Sequence, residues 1–171
     1  MNREQRQKLN EALASGDRTA QFKALQDMRK KGDATLVPTF LIAFAQTDDD
    51  ELRSEFCQVL YDIKDVDAMN AVLDRLGDPA LAIIRPNMVA AVWQSGLDMR
   101  HRLPELVEVA LSGDYMECLE VLTVIENMDP PADVAMVDAL SKRMHAVMAD
   151  DVNEKEDLLL SIIEVFGKWK A

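Results

Sequence analysis

The sequence predicts an all-α chain of about ten helices arranged as about five stacked pairs. Three observations carry that reading. Breakers of Gly, Asp and Pro recur at nearly even intervals, apolar residues between them repeat every three to four positions, and helix pairs recur at about 32–33 residues. Composition agrees: of 171 residues 49% are apolar and only 5% aromatic, with abundant Ala, Leu, Val and Met and no sustained period-2 alternation. The length suits one domain, since compact domains typically run to ~100–200 residues. A single helical repeat domain over 1–171 is therefore expected. A chain this long can bury roughly two thirds of its unfolded surface and needs no disulfide or metal staple.

The breakers place each element. Asp17, Asp33, Asp49 and Asp65 are spaced 16 apart, and Gly77-Asp78-Pro79, Gly96-Leu97-Asp98, Gly113-Asp114, Asp129-Pro130-Pro131 and Asp150-Asp151 continue the series. Glycine after a helix can take the left-handed backbone that closes its C-terminus. Aspartate before the next helix can accept a bond from an orphan amide and sits well at the positive dipole end. Gly-Asp thus stops one helix and starts another. The expected helices are 2–14, 17–31, 34–46, 50–64, 66–76, 79–95, 99–112, 114–128, 132–148 and 152–169. Each has an apolar stripe, such as Leu52, Phe56, Val59, Leu60 and Ile63, or Met116, Leu119, Leu122, Ile125 and Met128. Pro38 and Pro104 suit a first helical turn, where the missing amide has no intrahelical partner. Pro86 falls inside an apolar run, so a kink or break is expected near 84–86.

The ends differ. The first helix offers only Leu9, Ala12 and Leu13 to a core, as an N-terminal cap would. The last, 152–169, carries Leu158, Leu159, Ile162, Ile163, Val165, Phe166 and Trp169 on a broad arc, with Leu160 outside it. Packing against the preceding pair accounts for that arc. A monomer is favoured, and 152–169 is the segment through which copies would associate.

The repeat has its own sequence marks. Leu36-Val37-Pro38 matches Arg102-Leu103-Pro104, the prolines lying 66 residues or two periods apart, and Arg53 and Arg85 are 32 apart. One helix pair cannot bury its stripe alone; a neighbouring pair completes the core. Leu36-Val37-Pro38, the acidic turn Asp48-Asp49-Asp50, Leu52-Arg53 and apolar Phe56, Val59 and Leu60 together resemble a HEAT repeat. The resemblance spans about 17–169, clear in this repeat and looser in the others, and concerns architecture. It implies a right-handed α-α superhelix in which an Asp of the turn and an Arg of the next helix tie adjacent repeats. It also implies a concave face that binds another protein.

The charge balance is 31 acidic against 19 basic residues, a net −12. Residues 1–31 hold eight basic and four acidic residues, and the remaining 140 hold 11 and 27. An acidic body disfavours nucleic acid and favours a basic protein partner. For the basic first two helices the expectation is a solvated face, with docking onto an acidic neighbour or salt-sensitive nucleic-acid binding as the other readings. The outward polar positions expected along the concave ridge are Gln46, Asn70, Asp74, Glu105, Glu108 and Asp138.

No catalytic, cofactor or metal residue is expected. Cys57 and Cys118 form no C-x-x-C and read as buried small side chains. His101 and His145 have no His or Cys at helical spacing and no following Glu, unlike the ligand pairs of HEAT-like iron hydroxylases. The glycines are isolated, so no phosphate loop is expected. Trp93 and Trp169 read as core or core edge. The polar start and the lack of ~20 uninterrupted apolar residues predict a cytoplasmic chain with no signal or membrane span. The functional expectation is a non-enzymatic scaffold or adaptor. The alternative is a HEAT-like module of the bilin-lyase type that holds a small ligand in its groove.

Overall fold

The structure is a computed structural model that describes residues 1–31, 33–150 and 154–170. Every regular element among them is helical: ten α-helices and three short 3-10 segments, with no strand. The chain divides into two compact units, Met1–Leu97 and Asp98–Ala171, at the Gly96-Leu97-Asp98 breaker.

The first unit holds α1 (Arg3–Ala14), α2 (Arg18–Lys31), α3 (Val37–Gln46), α4 (Asp50–Tyr61), α5 (Val66–Leu73) and α6 (Arg85–Ser95). The second holds α7 (Leu103–Ser112), α8 (Tyr115–Glu126), α9 (Val134–Asp150) and α10 (Glu156–Trp169). The aspartate grid sets the starts. Asp17, Asp33, Asp49, Asp65, Asp78, Asp98, Asp114 and Asp133 each accept a bond from an amide two or three residues on, at 2.7–3.2 Å. At Asp114 the cap is reciprocal, with Glu117 reaching back to the Asp114 amide at 2.7 Å.

Several elements are shorter than expected. The segments 34–46, 79–95 and 99–112 each open with a 3-10 piece, Ala34–Leu36, Pro79–Ile84 and Arg100–Arg102, before the α-helix proper. Pro38, Pro86 and Pro104 then stand in the first turns of α3, α6 and α7. The break expected at 84–86 is present, but Pro86 stands in the first turn of a new helix there instead of kinking one, where its missing amide has no intrahelical partner to lose. Helix α5 stops at Leu73 and passes into a turn whose amides of Arg75 and Leu76 bond back to Val72 and Leu73 at 3.1 Å, and Arg85 Nε donates to the Leu76 carbonyl at 2.7 Å. Residues 152 and 153 of the expected last helix lie outside the described residues.

The glycines close helices in two ways. Gly16 and Gly96 adopt φ of +68° and +69°, the left-handed closure expected of them. Gly113 does not; it is extended, φ −80° and ψ −177°. Its need is space, since a Cβ there would stand 2.6 Å from the Val109 carbonyl oxygen and 2.9 Å from Glu117 Cβ.

Within each unit, packing follows helix parity. In the first, α1 packs on α3 and α3 on α5, while α2 packs on α4 and α4 on α6. In the second, α7 packs on α9 and α8 on α10, with α7 also against α8 and α9 against α10. Side-chain ties between residues about one repeat apart reinforce this stacking. Arg18 binds Asp49 at 2.7 Å and also Glu51, Arg29 donates to Gln58 at 2.5 Å, Lys64 to the Ser95 carbonyl at 2.6 Å, and Arg143 to Glu108 at 2.6 and 2.7 Å. The core of the first unit centres on Phe40, Phe44 and Phe56, all at most 2% exposed, with the Phe44 and Phe56 rings stacked at 5.5 Å. Leu103, Leu106, Val107, Val121, Ile125, Met144, Ile162 and Phe166 fill that of the second.

Candidate interaction surface

All six ridge candidates fall on odd-numbered helices or their caps. Gln46, Asn70 and Asp74 belong to the first unit, and Glu105, Glu108 and Asp138 to the second. Gln46 is exposed at the end of α3 and lines a cavity of about 310 Å³ with Arg18, Gln21, Asp48 and Asp49. Asn70 is half-buried on α5, and Asp74 is exposed as that helix's C-cap.

The three acids of the second unit are already engaged. Arg102 Nε meets Glu105 at 2.8 Å, and the Arg143 guanidinium grips both oxygens of Glu108. Lys142 and Lys170 meet Asp138 at 2.7 and 3.3 Å. These contacts push the Asp138 carboxyl below its ordinary range, chiefly through the Lys142 hydrogen bond, and raise Arg143 above its own through Glu108. The ridge in this unit is therefore a mixed, mutually neutralised surface rather than a bare acidic one.

Three arginines of the basic first two helices are paired with acids further along the chain. Arg6 meets Asp33 at 2.9 Å, Arg18 lies on Asp49 and Glu51 at the start of α4, and Arg29 approaches Glu55 and Asp62 at 3.7 and 3.6 Å. Stacking α2 on α4 brings the positive stretch onto the acids one repeat later. Arg53, by contrast, donates to the Thr47 carbonyl at 3.1 Å and lies over the Phe44 ring, tying its own turn.

The nucleophiles are desolvated. Cys118 is fully buried on α8 and its thiol is pushed up to about 11; burial also raises half-buried Cys57. His101 and His145 are exposed on different elements. Among the described residues no three His, Cys, Asp or Glu side chains converge as a metal set, and no helix is long and apolar enough to cross a membrane. Trp169 packs at the core edge on Phe166 with centroids 5.2 Å apart, whereas Trp93 is 37% exposed.

Two features escaped the sequence reading. One is a groove of about 360 Å³ in the first unit, floored by Met28, Val37, Phe40 and Val59, with Lys30 and Lys64 on its rim. The other is Lys155, at the start of α10 and only 7% exposed. Its ammonium donates to the carbonyls of Ala110 at 2.9 Å, Leu111 at 3.0 Å and Gly113, closing the end of α7. It was hidden because it lies over 40 residues from its acceptors.

Compared with known proteins, the chain matches no protein-family model and no curated sequence.

Proposed function

We propose that this chain is a HEAT-like helical-repeat scaffold that binds a basic protein partner in the cytoplasm without catalysing a reaction. The observation that carries the reading is the packing of helices two apart in each unit, tied by side chains about 30 residues apart. That arrangement suits a right-handed superhelix, in which each pair buries its neighbour's stripe and leaves a rigid face for a partner. The net charge of −12 supports a basic partner, whose encounter it would speed. Gln46, Asn70 and Asp74 in the first unit and Glu105, Glu108 and Asp138 in the second are the proposed contact residues, and on binding Glu108 and Asp138 exchange Arg143 and Lys142 for the partner's cations.

The test is capture from native lysate at low and high salt, followed by Asp74→Lys, Glu105→Lys and Glu108→Lys together. Binding should weaken at least tenfold and lose most of its salt dependence; unchanged binding removes the ridge from the interface. The apolar floor of the 360 Å³ groove supports a second reading, a module that holds a small ligand. In that case a Val59→Trp variant should abolish a ligand-induced rise in melting temperature, whereas capture of a protein partner should be unaffected.

A further inference from the structure

We infer that the outer face of α8 and α10 in the second unit is a docking surface for a lysine- and arginine-rich amphipathic helix of a protein partner. The inference rests on the reading of the chain as a binder of a basic partner and adds a contact distinct from the odd-helix ridge.

The argument begins with where the cations are. The second unit carries 16 acidic and seven basic residues. Among the described residues, ion pairs on the odd helices and the segments flanking them join Asp98 with Arg100, Glu105 with Arg102, Glu108 with Arg143, and Asp138 with Lys142 and Lys170. Lys155 is buried on backbone carbonyls. Glu120 and Glu126 on α8, and Glu156, Asp157 and Glu164 on α10, take part in none of the pairs. Glu156 and Asp157 stand in a first helical turn, where the dipole alone accounts for an acid. Glu120, Glu126 and Glu164 lie beyond the first turn, and that account does not reach them.

The same face is apolar at its centre. Tyr115, Met116 and Leu160 are 42%, 50% and 39% exposed, three of the four large apolar side chains exposed in this unit among the described residues. Met116 was expected in the α8 stripe. The helix instead buries Cys118, Val121, Leu122, Val124 and Ile125, which rotates Met116 outward. At 100° per residue, Tyr115, Met116, Glu120 and Glu126 share one side of α8, and Glu156, Asp157, Leu160 and Glu164 share one side of α10 with Lys168, which follows Glu164 by one turn. Both sides are opposite to the buried residues. Because α8 and α10 pack together, they look out from the same layer. Lys155 also joins their starts, since it precedes α10 and binds the Gly113 carbonyl just before α8. Met116 and Leu160 thus lie on the outward sides of two packed helices, each with carboxylates on the same side. An amphipathic helix would lay its apolar stripe along them and its cations over Glu120, Glu156, Asp157 and Glu164.

The test uses the full chain and a fluorescein-labelled 14-residue Leu/Lys amphipathic peptide, read by anisotropy at 50 and 300 mM salt. Glu120→Lys with Glu164→Lys should raise Kd at least tenfold at low salt and flatten the salt dependence. Leu160→Ser should raise Kd several-fold with the salt dependence retained, and circular dichroism melts should match the parent chain. If a Glu105→Lys, Glu108→Lys pair abolishes peptide binding and the α8–α10 variants do not, the docking face is wrong while the basic-partner reading survives. Absence of binding to the peptide by any form, together with no salt-sensitive capture from lysate, overturns both. A scrambled peptide of the same composition binding equally well, or indifference to Leu160→Ser, overturns the apolar centre and with it the amphipathic partner.

Discussion

Replacing Lys155 with Met keeps a long unbranched stem and removes the ammonium that closes α7. Three acceptors lose their donor: the carbonyls of Ala110 and Leu111, at 2.9 and 3.0 Å, and that of Gly113. A hydrogen bond from a charged donor contributes about 1.5–3 kcal/mol, and a buried acceptor left unpaired costs about 1–3 kcal/mol. The bonds share one donor, so they do not add, and water reaches part of the exposed turn. The expected loss is about 3 kcal/mol, a large share of the ~5–15 kcal/mol typical of whole domains. With a urea slope near ~1.5 kcal/mol per M, the midpoint of the second unit should fall by about 2 M. The assay is urea unfolding by circular dichroism, paired with amide exchange to assign the transition. Exchange should accelerate at the end of α7 and the start of α10, while α2–α4 in the first unit keep their protection. A midpoint shift below ~0.5 M, or equal acceleration in both units, would refute the role given to Lys155.

Three further outcomes follow from the geometry. Gly113→Ala should destabilise by about 2 kcal/mol or more, because its Cβ would meet the Val109 carbonyl and Glu117 and spread the α7–α8 turn. Gly96→Ala, with open space but φ of +69°, should cost about 1 kcal/mol, and thermal melts giving the reverse order would contradict this account. In the native chain at pH 8, Cys118 should resist thiol reagents that label Cys57, and absorbance titration at 240 nm should place its ionisation near 11; prompt labelling of both thiols would count against its burial. Stability should also fall in acid. Asp98 is held near 2 chiefly by its hydrogen bonds to Arg100, and Asp33, Asp49 and Asp78 are likewise lowered, so their contribution is complete above the unfolded carboxylate value near ~3.9 and is lost as pH falls toward 2. Carboxyl NMR titration checks the sign, and Arg100→Leu should move Asp98 upward.

Helix starts were readable from the chain alone because a cap acts within three residues. Asp17, Asp33, Asp49, Asp65 and Asp114 need only the amides that follow them, and the structure makes those bonds. The apolar stripes were readable for the same reason, although α8 shows the limit. Two arcs competed for burial there, and packing on α7 and α10 chose the one that leaves Met116 outside. The 3-10 openings before Pro38, Pro86 and Pro104 lay between these cases. Proline announced a boundary without saying which side of it was helix.

What tertiary structure decided was which charges remain free. Glu108 and Glu120 are both carboxylates on an apolar helix, yet Arg143 arrives from 35 residues away to cover the first, while Glu120 is in none of the ion pairs named above among the described residues. The arginines of α2 likewise found their acids on α4, and Lys155 found the end of α7. Capping energies depend on chain neighbours, but an ion pair depends on distance in space, and at a separation of about 30 residues only the stacking of one helix pair on the next sets that distance.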